Sequence, residues 1–540
     1  MNYCNQRYSP TLLKLGRCAA ILLLLMCMSF VAHAEEQPEN PPPENPTPEN
    51  PQPENPPADN AGSPADQAAD QRSFSFSGEA LSRSTMDLEA DDEWEDFFTN
   101  RDLVYGKGLF RFSDRFSVTL SGIGEYLLRL NSKGYENGAE YSVGLEEFYA
   151  DLHFGKFDLR LGQQIVTWGR MDVFAPTDTI NSVDYTKMID TELGHYKIPN
   201  LMAKADYYWT NFNAEAIFIP FFRPARLDFI GGDWTPLGNH VPVDLVTDSL
   251  NDSYLGRDFL NYLNQHYPGW DGALEDALSS ERLNALGPTT PADDLQHWEL
   301  AVKGTLNYGP VSSSASYFYA WSDLPILTFS PAARDLFQAL LNEETPPELI
   351  GKVLELDPTD IYESAYRRIN QFGLDFEANL GPSVLKAEGT YVPAQATYND
   401  QLEVVERPML TYTASADYVL PFDINFALFF LQAYTPHWTK DLLMARSYSF
   451  LGSYMEGKFL EDKLEFYLQM LYDTTYWSAD GWRQGDIFNQ DFQFSGKVSY
   501  EVLTDFYVGL GTILFGGPED QLIGILRSRS FGFLDLEYKF

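Results

Sequence analysis

The joins between alternating segments constrain this chain more than any single residue does. From about residue 105 to residue 540, aromatic-rich segments alternate apolar and polar side chains, and the connections between them switch strictly between tight and long. The tight joins are "FGKF", "TNFN", "YGPV", "LGPS", "LPFD", "LEDK" and "EVLT". The long ones include 169–197, 222–295, 322–365, 399–407, 436–445, 478–486 and 516–527. Period-two alternation means a sheet with one apolar and one polar face. Short turns at one end and long loops at the other is the topology of a barrel that crosses a membrane. The expected fold is all-β: a transmembrane antiparallel β-barrel of about sixteen strands on residues 105–540, with long extracellular loops that contain short helices.

The direction of the apolar face follows from composition. "KLEFYLQMLYD" (463–473) sets Leu464, Phe466, Leu468, Met470 and Tyr472 against Glu465, Tyr467, Gln469 and Asp473. A soluble sandwich would turn the apolar side toward a second sheet. The 32 Tyr, 38 Phe and 10 Trp, many of them near strand ends, instead suit a lipid-facing surface with aromatic girdles and a polar lumen. Parity then places Glu147, Asp151 and His153 in the lumen on one strand and Arg160 and Gln164 on the next. Lys204 and Asp206, Glu299 and Lys303, Asp375 and Glu377, and Lys386 and Glu388 follow on later strands. Both signs of charge occur, and two readings stand side by side: rings that select solutes, and cross-lumen pairs that stabilise a wet interior.

The final segment, "SFGFLDLEYKF", puts Leu534, Leu536, Tyr538 and Phe540 on one face and Asp535, Glu537 and Lys539 on the other. A spanning sheet tolerates no open edge, so this strand is expected to pair with the first. Its aromatic ending, Tyr538 and Phe540, resembles the C-terminal signal that the barrel-assembly machinery reads on outer-membrane proteins.

At the other end, Arg7, Lys14 and Arg17 precede "AAILLLLMCMSFV" and then "AHA", the pattern of a secretory signal peptide cleaved after Ala34. Cys4, Cys18 and Cys27 all lie inside this leader, so the mature chain offers no thiolate chemistry. The leader carries three basic and no acidic residues, so its removal takes the formal charge from −41 to −44. Such acidity excludes a nucleic-acid partner, which would need basic patches. Residues 35–104 read as a disordered Pro- and acid-rich periplasmic tail, with PENP repeats over 38–57 and a short acidic amphipathic helix near 86–98.

Two long loops carry apolar stripes at helical spacing. Residues 222–295 contain "RDFLNYLNQHY" and "GALEDALSSERLNAL"; residues 322–365 contain "ARDLFQALL" and "PPELIGKVLEL". They are expected to cap the barrel or shelter an apolar cargo, or to pack on each other as an inert lid.

The stretch "LRLGQQIVTWGRMDVFAPTDTINSVDY" (159–185) runs from a strand into an Asp-rich loop. Trp168, Arg170, Asp172 and Asp178 are candidates for a constriction inside the barrel, or for a turn that locks loop to wall. This segment resembles an uncharacterised family of Gram-negative outer-membrane proteins with a G-x-Q-x-x-x-W-G-x-x-D-x-x-x-P-x-D pattern, here Gly162, Gln164, Trp168, Gly169, Asp172, Pro176 and Asp178. The resemblance implies association with an RND-type inner-membrane exporter or another periplasmic partner, and a lipid or other hydrophobic cargo. Porin and alginate-export barrels are more distant in style.

The expected work is passage of small solutes or hydrophobic compounds through the outer membrane, gated by loops 169–197, 222–295 and 322–365. A surface adhesin or a scaffold for an envelope partner is the alternative. An outer-membrane lipase is disfavoured. None of His153, His195, His240, His266, His297 and His437 lies in a nucleophile-elbow pattern, and no paired-His metal motif occurs. No cofactor and no metal are expected; the Asp-rich "NDSYLGRD" lacks the ligand spacing of a known calcium loop.

Overall fold

The computed structural model describes residues 72–88, 97–131, 138–187, 194–226, 295–341, 352, 362–475, 491–518 and 523–540. Eighteen strands form one closed antiparallel sheet. The first nine are β1 (Ser73–Asp87), β2 (Phe97–Ser113), β3 (Phe116–Asn131), β4 (Gly138–Phe154), β5 (Phe157–Gln164), β6 (Asn200–Tyr208), β7 (Phe212–Ile219), β8 (Glu299–Tyr308) and β9 (Val311–Trp321). The rest are β12 (Arg368–Leu380), β13 (Ser383–Tyr398), β14 (Val404–Leu420), β15 (Ile424–Tyr434), β16 (Ser447–Phe459), β17 (Leu464–Asp473), β18 (Phe492–Leu503), β19 (Phe506–Gly516) and β20 (Phe531–Lys539). Each barrel strand pairs with its neighbours in sequence, and β20 pairs with β1 to close the ring. The remaining strands, β10 (Ile326–Phe329) and β11 (Tyr362–Ala365), form a separate hairpin in the loop between β9 and β12. The helix α1 (Pro331–Leu341) lies in the same loop.

The barrel is two strands larger than the alternation implies, and it begins at Ser73 rather than near residue 105. Residues 73–87 and 97–104, read as part of a tail, are wall. The reason is polarity. On β1 the outward positions between Phe76 and Met86 are small or polar (Gly78, Ala80, Ser82, Ser84), while Leu81 is buried inside against Leu103. Of the helix expected near 86–98, Met86 and Asp87 end β1 and Phe97 and Phe98 begin β2, and residues 89–96 lie outside the described residues. Within the second and third long loops, "ARDLFQALL" falls in α1. "RDFLNYLNQHY", "GALEDALSSERLNAL" and all but Lys352 of "PPELIGKVLEL" lie outside the described residues.

The wall turns its polar side inward. On β12, Leu374 is 68% exposed and its neighbour Asp375 only 5%. Phe372 and Phe376 continue the outward face, while Gln371, Gly373 and Glu377 continue the inward one. No helix among the described residues is long and apolar enough to cross a membrane; the strands carry the apolar surface. At the tight end, turns of two to four residues join the strands. Gly155 and Gly381 both take φ +71 there, with open space where a Cβ would stand, so backbone conformation rather than crowding selects glycine.

Closure is reinforced from inside. The backbones of Gly78 and Phe540 exchange hydrogen bonds of 2.8 and 2.9 Å. Above them Arg83 of β1 grips Asp535 of β20 through Nε and Nη2, both at 2.7 Å. Lys497 reaches the same carboxylate at 2.9 Å, and the Arg83 guanidinium lies 4.0 Å from the Phe533 ring centroid. Arg83 and Asp535 are both 1% exposed, so removing Arg83 leaves the buried carboxylate with Lys497 alone. Arg83→Met is expected to lower the stability of the refolded barrel by about 3–5 kcal/mol, read as a shift of the urea midpoint. Arg83→Met with Asp535→Leu should recover part of the loss. An unchanged midpoint in the single variant would show that the seam does not depend on this pair.

Candidate functional site

The connection from β5 to β6, residues 165–199, is described over 165–187 and 194–199, and that part lies within the barrel. It enters the lumen and binds the inner wall on several sides. Its start is fixed by a bulge in β4, where two residues oppose Ser121. A bulge re-aims side chains, and here Glu146 and Glu147 both point inward. The Ile165 amide donates to Glu147 Oε1 at 3.1 Å, and Lys107 meets the other oxygen at 3.2 Å. Gln163 donates to the carbonyls of Leu145 and Glu146, closing the bulge from behind. At Gly162 a side chain would collide with the Phe148 carbonyl. Gln164, fully buried, donates to Met202 O at 3.1 Å.

Inside the lumen the loop holds itself and the wall together. Asn181 accepts from the Val166 amide and donates to the carbonyls of Gln164 and Ile198. Asp178 accepts from the Trp168 amide at 3.1 Å and from Lys197 at 2.5 Å. The Trp168 indole donates to Glu215 at 2.5 Å, and Glu215 lies 3.3 Å from Lys204. Gly169 takes φ +100, and a Cβ there would lie 2.9 Å from Glu388 Oε2. That close approach lets the Arg170 amide donate to the same oxygen at 2.9 Å.

Arg170 and Asp172 then face opposite signs. The Arg170 guanidinium pairs with Asp375 and, at 3.3 Å, with Glu377, and it donates to Ser312 and Ser314. Lys303 stands 3.5 Å from Asp375. Asp172 pairs with Lys386 and accepts from the Tyr454 hydroxyl at 3.0 Å. Between and beyond these two residues, Met171, Val173 and Phe174 are buried in an apolar cluster with Phe429, Leu431, Phe450, Leu471, Ile513, Phe515, Phe531 and Phe533. The Phe174 and Phe429 ring centroids are 5.7 Å apart.

The far end of the loop is held by His195. Its Nδ1 lies 2.5 Å from Glu146 and its Nε2 3.0 Å from Glu79, and its ring lies 4.6 Å from that of Tyr105. Burial works against the charged imidazole, but the hydrogen bonds to Glu146 and Glu79 outweigh it and raise the pKa to about 9. Lys187 adds a pair with Glu125 at 2.6 Å.

Of the residues parity placed inside, Lys303, Asp375, Glu377, Lys386 and Glu388 gather around Arg170 and Asp172. Glu147, Gln164, Lys204 and Asp206 support the loop's base and Trp168. Asp151 and Arg160 pair with each other at 2.7 Å on the wall. His153 pairs with Asp158 near the tight turns and is half-exposed. Glu299 is buried elsewhere, accepting from the Trp321 amide. Tyr538 and Phe540 lie on the outer face, with Phe540 5.7 Å from Phe76. Sequence reasoning missed Glu79, Glu146, Glu215, Asp417 and Tyr454, and His195 as an anchor. It also missed the apolar half of the lumen, whose signal is the run "FALFFL" in β15, apolar on both faces. Among the described residues, no group of three or more His, Cys, Asp or Glu side chains is arranged to hold a metal ion.

The family described as Protein of unknown function (DUF1302) matches residues 35–481. No curated protein matches the chain. Solved structures with a general resemblance include OccAB4 of Acinetobacter baumannii (9% identity, TM-score 0.45, covering 87% of this chain and 99% of that one). OccK5 (OpdH) of Pseudomonas aeruginosa has 8% identity and a TM-score of 0.42, covering 86% and 98%. Salmonella typhi OmpF in complex with daunomycin has 10% identity and a TM-score of 0.35, covering 86% and 97%. At these values none of the three bears on register, substrate or mechanism.

His195 gives the loop a pH dependence of definite sign. Its folded pKa lies above the ordinary value near 6.5, so its stabilisation is complete below about 6.5 and is lost as pH rises through about 9. His195→Gln is expected to lower the Tm of the refolded protein at pH 6, with a deficit on the order of 2–3 kcal/mol. The difference from wild type should shrink toward pH 10. A deficit that stays constant with pH would exclude the charged imidazole as the anchor.

Proposed function

The chain belongs to the family described as Protein of unknown function (DUF1302), and from that membership and the lumen geometry we propose an outer-membrane channel or transporter gated by the loop of residues 165–199. One observation carries the reading: a loop bound across a charged lumen, inside a wall whose outer face is apolar. A barrel of this strand number is wide enough for an aqueous path unless something fills it, and a loop held by ion pairs is a filling that can be released. The outward apolar and inward charged faces support residence in a bilayer. In this reading residues 1–34 are a cleaved leader and the tight turns face the periplasm.

The cargo belongs to the same reading. The apolar wall around Phe429, Phe450 and Phe531 favours compounds with an apolar surface over small hydrated ions. The loop of residues 322–365 contributes the β10–β11 hairpin, which packs Ile326 against Ala396 and Tyr398 at the rim, and acts as a second gate. A periplasmic or inner-membrane exporter would dock at the tight-turn end.

Single-channel conductance in a planar bilayer tests the proposal. The intact protein is expected to pass little current. The Arg170→Ser/Asp172→Ser/Phe174→Ser variant, released from Asp375, from Lys386 and from the apolar wall, should conduct severalfold more. Silence in both, with the barrel shown to be folded, would overturn the channel and favour a scaffold or adhesin.

A further inference from the structure

Beneath Asp172, a cavity of about 270 Å3 lies toward the tight-turn end of the lumen. Asp172 and Val173 line it from the loop. Val384, Lys386, Asp417, Tyr454, Glu456 and Tyr467 line it from β13, β14, β16 and β17. Three carboxylates thus face one ammonium. Lys386 is already shared, pairing with Asp172 and with Asp417 at 2.9 Å. Glu456 accepts from the Asn425 amide at 3.0 Å and has no cation within ion-pair distance among the described residues. Farther along β16, Lys458 is taken up by Glu465 at 3.1 Å. The surplus of negative charge in the cavity is therefore not offset by its neighbours.

The aromatic walls point to the same chemistry. The rings of Tyr454 and Tyr467 are stacked, with centroids 6.4 Å apart and planes at 22°. Ring faces beside carboxylates attract a weakly hydrated organic cation more than a strongly hydrated metal ion. Val173 belongs both to this cavity and to the apolar cluster that includes Phe429. A ligand with a cationic head in the cavity and an apolar body would therefore meet the apolar wall where the loop now lies.

We propose that this cavity is a binding subsite for the cationic head of a small amphipathic organic cation. The subsite rests on the channel reading for its place along a permeation path; its occupancy does not depend on current flowing. The cavity and its tyrosine pair carry the inference, and the carboxylates set the sign of the ligand.

Titration calorimetry of the refolded, full-length protein in neutral detergent would use benzyltrimethylammonium, with benzenesulfonate as the matched anion. The cation should bind saturably and the anion should not. Asp417→Asn and Glu456→Gln should each weaken binding about tenfold, and Tyr467→Leu about threefold. Should Asp417→Asn fail to fold, Glu456→Gln and Tyr467→Leu decide the matter. Equal binding of cation and anion, or an unaltered affinity in the folded variants, would overturn the subsite. Binding by a protein silent in the bilayer under every condition would keep the subsite and sink the channel. Conductance without saturable binding would do the reverse.

Discussion

A sheet that must leave no backbone edge unpaired has one solution at this size, which is to close. Closure brings β1 beside β20 and puts the two ends of the sequence's wall in hydrogen-bonded register from Glu79 with Lys539 to Asp87 with Phe531. It also decides where polar side chains go. With the apolar face outward, every charged residue at an inward position needs a partner across or along the lumen, because an unpaired charge held away from water is costly. Arg83 with Asp535 and Lys497 meets that need at the seam itself. Elsewhere in the interior the same need draws in the loop of residues 165–199.

That loop takes the place of a core. Its residues alternate in what they offer: Arg170 to carboxylates, Met171 to the apolar wall, Asp172 to Lys386, then Val173 and Phe174 to aromatic rings. The motif from Gly162 to Asp178 is legible as a list of requirements for this path. Gly162 allows close approach to β4, Gln164 caps a strand end, and Gly169 lets backbone meet Glu388. Asp178 ties the loop to Trp168 and Lys197.

Much of the wall could be read from residues alone, because Leu374 and Asp375 or Leu534 and Asp535 obey the alternation that a two-faced sheet imposes. The exceptions share a physical cause. β1 was hidden because Ser82 and Ser84 sit outward, hydrogen-bonded to Asp102 and Asn100, while Leu81 sits inward. Glu146 was hidden because a bulge cancels parity at one residue, and nothing in the local sequence marks it. The apolar lumen was hidden because a strand apolar on both faces gives no sign of which neighbour covers each face. His195 needed both Glu79 and Glu146, from strands far apart in sequence, before its role existed.

The loop's attachments differ in strength, and the difference bears on how it would be released. Partly exposed ion pairs such as Lys386 with Asp172 are each worth roughly 0–1 kcal/mol net. Burial of large apolar side chains such as Met171, Val173 and Phe174 is worth about 1.5–3 kcal/mol apiece. The apolar side therefore dominates, and ionic strength alone would loosen the loop only weakly. Moving it into water re-exposes both the three side chains and the aromatic wall they cover. A molecule that replaces the loop against that wall offsets this cost, whereas a hydrated ion does not. The step from Asp172 to Val173, one residue wide, separates a charged cavity from an apolar surface. A ligand that matches both sides competes for the loop's two kinds of contact at once, and so shifts its position further than either half of the ligand would alone.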